Sequence, residues 1–130
     1  SATLLVGCAS VGSPIHSQLS EAEINERSRQ NFEIGMQSRD VDAKLRELDI
    51  EYAFDEIRKS PCPDSRPLCF VGHIFPEGPR SAFQYQYEAL LYLWLDENDA
   101  LSCVAYGKVV WGRGADAGVV HGQGWQRILP

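Results

Sequence analysis

The spacing of apolar residues changes several times along the chain, and each change marks an element. Leu19-Ser20-Glu21-Ala22-Glu23-Ile24 reads as a helix start. Ser20 sits in a capping position, Glu23 follows three places later, and Leu19 is placed to staple onto Ile24. This polar helix runs from Glu21 to about Asn31 and packs by one thin stripe. Gly35 ends it, and Ser38 is expected to cap a second helix, with Asp40 near its positive end. Val41, Leu45 and Leu48 recur at i, i+4 and i+7, one apolar face, and Asp49 is the expected stop.

From Ile50 the period becomes two. Ile50, Tyr52 and Phe54 alternate with Glu51, Ala53 and Asp55, which predicts a strand. A proline loop follows, then a second strand from Leu68 to Phe75, closed by Pro76-Glu77-Gly78-Pro79. In the stretch from Tyr85 to Leu95, Ala89, Leu91, Leu93 and Leu95 face one way and Leu90, Tyr92 and Trp94 the other. Asp96-Glu97-Asn98-Asp99 is a polar turn. Leu101, Cys103, Ala105, Val109 and Trp111 resume on one face. Two long strands joined near Asn98 form a hairpin; the rival is a buried helical turn over Ala89–Leu95. Beyond Trp111 the glycine-rich tail is too irregular for a regular element, with Trp125 and Ile128 as candidate anchors. The fold class is α+β: two N-terminal helices packed on an antiparallel three- to four-stranded β-meander. Residues 1–18 read as a tether and 19–130 as one domain, as a length of 130 residues allows.

Composition narrows the function. Eighteen acidic against 12 basic residues give a net charge of −6, and no Lys/Arg block is present, so nucleic acid is excluded as an expected partner. No apolar run approaches the length of a membrane span.

The chemistry is concentrated in four cysteines. Leu5-Val6-Gly7-Cys8 resembles the lipobox of bacterial lipoproteins, in which the peptide is cut before a cysteine whose sulfur carries a diacylglycerol. That resemblance makes Cys8 the lipid-attachment residue. With Ala9 behind it, the resemblance also implies an outer-membrane location on the periplasmic face. The Ser/Gly/Pro-bearing stretch Ala9 to Gln18 reads as the tether between anchor and domain. Of the remaining three, Cys62 and Cys69 bracket the proline loop and are the expected disulfide, with Cys103 a buried thiol. Cys69–Cys103 is the rival pairing if those strands lie side by side. Either bridge fits an oxidising compartment.

No catalytic, metal or cofactor set emerges. His16, His73 and His121 are scattered, Gly112-x-Gly114 opens no helix, and Asp96–Asp99 lacks the spaced ligands of a calcium loop. The aromatics on or beside the hairpin are the candidate partner-binding surface: Tyr85, Tyr87, Tyr92, Trp94 and Trp111. The alternative is that they fill a core or lie under the tail.

The junction Phe32-x-Ile34-Gly35-Met36-x-Ser38-x-x-Val41-x-x-x-Leu45 resembles small envelope lipoproteins of the BamE (SmpA/OmlA) type, in which such a segment joins helix to helix ahead of a three-stranded meander. The same unit, doubled, resembles β-lactamase inhibitory proteins. The resemblance implies a non-catalytic envelope module that binds another envelope protein. The alternative is an inhibitor or immunity protein that blocks a periplasmic hydrolase or toxin.

Overall fold

The computed structural model describes residues 14–57, 62, 67–76, 88–109 and 126–129. Two helices, α1 (Glu21–Asn31) and α2 (Ser38–Glu47), precede five strands: β1 (Glu51–Glu56), β2 (Leu68–Ile74), β3 (Ala89–Leu95), β4 (Leu101–Lys108) and β5 (Gln126–Leu129). The strands form one sheet in sequence order, antiparallel throughout. The α+β meander expected from the sequence is therefore present, with one strand more than expected. The extra strand lies in the glycine-rich tail. Val104 pairs with Leu129, Tyr106 pairs with Gln126, and Ile128 is buried between.

Local chemistry explains each boundary. At the start of α1, Glu23 N–H donates to Ser20 Oγ at 3.2 Å, and that hydroxyl donates to the Glu23 carboxylate at 3.1 Å. One of the unpaired amides of the first helical turn is thereby satisfied. Ser20→Ala is expected to cost about 1 kcal/mol, read as a lower urea midpoint at unchanged slope. The buried stripe of α1 is Ile24, Ser28 and Asn31, as thin as its composition requires.

The second helix begins differently from expectation. Gln37, not Ser38, is its N-cap, and no side chain closes the end. The connector instead runs beside the start of β4. Gly35 N–H donates to Leu101 O at 2.8 Å, Leu101 N–H to Met36 O at 2.7 Å and Ser38 N–H to Asp99 O at 2.9 Å. The hairpin turn thus takes over the capping role. Gly35 has φ +95°, a conformation that favours glycine.

Asp49 does stop α2. It sits at φ +57°, with its own N–H on Arg46 O and Ile50 N–H on Leu45 O. This is a Schellman motif, completed by burial of both Leu45 and Ile50. Ile50 can then drop onto the sheet because β2 offers Gly72 beneath it; a Cβ there would meet Ile50 Cγ2 at 3.0 Å.

Two cores follow, one on each side of the sheet. Under the helices, Ile24, Phe32, Val41, Leu45 and Leu48 meet Phe70, Ile74, Leu91, Leu93, Leu101, Val104 and Tyr106. α1 lies by β5 and α2 by β1. Ile15 joins this core, and Ser17 N–H donates to Phe75 O at 3.0 Å, so residues 14–18 of the expected tether belong to the folded unit. On the outer face, Ile57, Cys62, Cys69, Val71, Leu90, Tyr92, Trp94, Cys103 and Ala105 form a second cluster.

The expected common face for Leu101 and Cys103 is corrected by a bulge. Leu101 pairs with Leu95 but Cys103 with Trp94, so Ser102 is the extra residue. Its hydroxyl donates to Trp94 O at 3.2 Å. One inserted residue turns Leu101 to the helices and Cys103 to the outer core.

Candidate functional site

The hairpin was the expected recognition surface, and its geometry is well defined. Asp96 Oδ1 accepts from Asn98 N–H at 2.8 Å and from Ala100 N–H at 3.0 Å, and Asp99 sits at φ +58°. This three-residue loop with a left-handed last position fixes the register of β3 on β4. Tyr92 and Trp94 consequently project together from the outer face. They do not project into solvent. Trp94 is fully buried and Tyr92 is 2% exposed. Their rings stack with centroids 5.4 Å apart, and the indole N–H donates to Ile57 O at 3.3 Å. A buried indole donor is costly unless paired, and here it is paired. The reading of Tyr92 and Trp94 as partner-binding is therefore corrected: they are the centre of the outer core. Tyr85, Tyr87 and Trp111 lie outside the described residues, as do Cys8 and His121.

The disulfide is also corrected. Cys62 bonds Cys103 of β4, with Cα atoms 6.1 Å apart, and Cys69 is a buried free thiol. The expected Cys62–Cys69 pair fails because Cys62 crosses the outer face and closes over the sheet. The rival Cys69–Cys103 pair fails because β3 stands between those strands. Trp94 pairs with Cys69 on one side and with Cys103 on the other. Two strand spacings amount to about 9.5 Å, beyond the reach of a disulfide.

Burial pushes the Cys69 thiol far above its ordinary value, and the Asp55 carboxylate adds to this; a backbone hydrogen bond from Leu93 opposes it. Cys69 Sγ donates to Phe70 O at 3.3 Å. With Cys103 bridged and Cys69 held protonated, neither supplies a thiolate nucleophile. The pH dependence follows. Below about pH 9 the thiol is protonated in both folded and unfolded chains. Above it the unfolded thiol ionises while the buried one does not, so stability falls as pH rises, by up to about 1.4 kcal/mol per pH unit. Burial and the Glu21 carboxylate raise Tyr106 as well, which extends the fall to higher pH. Urea midpoints measured from pH 8 to 11 should drop for the parent chain and drop less for Cys69→Ala.

Three surface features remain. A cleft of about 800 Å³ opens along the helix connector, lined by Arg29, Phe32, Ile34, Met36, Asp40 and Leu129. A pocket of about 180 Å³ lies between Ser17, Ile24, Glu88, Tyr106 and Lys108. The third feature is β1, at the edge of the sheet. Tyr52 donates to Asp42 Oδ1 of α2 and accepts from Arg46 Nε at 3.3 Å, while Arg46 and Asp42 lie 3.4 Å apart. Phe54 is 51% exposed, the more open of the two large apolar residues exposed among the described residues, and lies edge-on to Phe70 at 4.9 Å. Sequence reasoning passed over Phe54. Its signal was charge on both faces of the strand, Glu51 and Asp55 on one and Glu56 on the other, which suits an edge better than a central strand.

No family model, curated protein or solved structure matches this chain. His73 sits on β2 opposite Glu51 on one side and Leu90 on the other. Among the described residues no three His, Cys, Asp or Glu side chains are grouped to hold a metal ion, and no helix there is long and apolar enough to cross a membrane.

Proposed function

We propose that this chain is a lipid-anchored protein of the bacterial envelope, facing the periplasm from the outer membrane, which binds another protein and transforms no substrate. The observation that carries the location is the Cys62–Cys103 bridge inside the outer core. A bridge that ties a loop to a central strand belongs to an oxidising compartment, since cytosolic thiols are kept reduced. The Gly7-Cys8 motif then supplies the anchor. The binding role draws support from the exposed β1 edge with Phe54 on it. The helix–helix–meander order agrees with the BamE-like resemblance at the level of architecture.

Fractionation of the native host tests the anchor. The parent chain should pellet with outer membranes and resist salt. Cys8→Ala should appear in another fraction, because the acyl chains contribute about 0.8 kcal/mol per buried CH₂. Chemical cross-linking in the same host tests the role: an integral or lipid-anchored envelope protein supports assembly, one soluble hydrolase or toxin supports the inhibitor reading, and failure to cross-link to any protein contradicts both.

A further inference from the structure

We infer that the outer edge of β1 is a docking strand for an extended, basic segment of a partner protein, joined by backbone pairing at Tyr52 and Phe54. This rests on the binding role proposed above and names its surface and the chemistry of its occupant.

Backbone alternation selects the two residues. Ile57 N–H donates to Pro67 O at 2.6 Å, in line with the continuous register that pairs Glu51 with His73 and Asp55 with Cys69. In an antiparallel ladder alternate residues bond to the same neighbour. Residues 51, 53, 55 and 57 therefore point their N–H and C=O at β2, and Tyr52, Phe54 and Glu56 point theirs outward. The Glu56 N–H is already met by Asp55 Oδ1 at 2.7 Å. This bond fits that orientation and ends the available stretch. The N–H and C=O groups of Tyr52 and Phe54 have no backbone partner on that side among the described residues.

Edge strands are blunted by charged side chains, above all lysine, and by proline or bulges; β1 carries only charge, and all of it is acidic. β1 reads Glu-Tyr-Ala-Phe-Asp-Glu, with neither lysine nor proline. The register shifts of this sheet fall between β3 and β4 and between β4 and β5, away from β1. What marks β1 instead is three carboxylates and an exposed phenylalanine beside Phe70. An added strand would cover Phe54 on one face, and lysine or arginine at alternate positions would face Glu51 and Asp55 on the other. This is strand addition with charge selection. A second copy of the chain suits the edge poorly. It would bring a net charge of −6 to a chain of the same charge and place the carboxylates of both β1 strands along one seam.

The test uses the full chain and a short end-blocked peptide alternating lysine and valine. Hydrogen exchange and fluorescence anisotropy are read together. The peptide should bind, more weakly as salt rises, and should slow exchange at the Tyr52 and Phe54 amides. Phe54→Pro removes one outward N–H, and N-methylating alternate peptide amides removes the matching groups. Each should weaken binding by roughly tenfold or more. Asp55→Lys, at an exposed position that leaves the backbone intact, should weaken binding similarly even if the proline variant folds poorly. A glutamate-for-lysine peptide should not bind. No binding of the lysine peptide, no protection at Tyr52 and Phe54, or protection that rises with protein concentration alone would overturn the inference, the last in favour of a second copy. The proposed role is tested separately: a native partner cross-linked equally well by parent and Asp55→Lys leaves that role standing and removes β1 from it.

Discussion

Replacing Cys62 and Cys103 together by alanine is expected to lower the unfolding free energy by about 4 kcal/mol. The bridge spans a sequence separation of 41 residues, and the chain-entropy relation for a loop of that size gives this value. For a chain of 130 residues this corresponds to a fall in Tm of about 15 °C. Dithiothreitol should reproduce most of the loss in the parent chain and none of it in the double variant. The original expectation, a bridge from Cys62 to Cys69, predicts a different pattern. It closes a short loop already restricted by proline, so its loss would cost less, and Cys103→Ala would leave it intact. Thermal melts of Cys103→Ala and Cys69→Ala therefore separate the two pairings: here the first should show the large fall and the second a small one.

Trp94→Ala should destabilise by about 4 kcal/mol, as large-to-small changes at fully buried aromatic positions do. The side chain is wholly enclosed, stacks on Tyr92 and donates its indole N–H to Ile57 O. Its removal leaves both a cavity and an unpaired carbonyl. Trp94→Phe keeps most of the volume and should cost about 1–2 kcal/mol, chiefly the hydrogen bond and the smaller ring. Urea denaturation measures both. A recognition residue would behave the other way, with stability intact and binding lost. Trp94→Ala is expected to impair binding only in proportion to the fraction unfolded.

The sequence made the scaffold legible where a residue's role depends on its near neighbours. Ser20 and Glu23 sit three residues apart and act within one helical turn. Val41 and Leu45 declare a helix face, and Asp49 a stop, because the Schellman geometry is closed within a few residues. The alternation in Ala89–Leu95 sorted its side chains onto the correct faces. It could not say what covers each face. A strand apolar at every position is nonetheless the signature of burial on both sides, a signal against reading Tyr92 and Trp94 as a partner-binding surface.

The errors share a cause: contacts distant in sequence. The bulge at Ser102 reverses the face of Cys103 relative to Leu101, and no local pattern announces it. Ser38 gave up its expected cap because Asp99, far along the chain, supplies the carbonyl. Cys62 chose a partner across the sheet over one seven residues away. β5 is four residues long, below the length at which alternation is readable, and exists because β4 offers it an edge. Phe54 became conspicuous only once β1 was known to be the outermost strand.

The most direct test of the account is a non-reducing peptide map, with intact mass, of the protein purified from its native envelope. The account predicts a fragment beginning at acylated Cys8, a cross-linked pair containing Cys62 and Cys103, and a Cys69 thiol that alkylates only after denaturant is added. Cys8 unmodified, with Cys62 and Cys103 both recovered as free thiols, would contradict it.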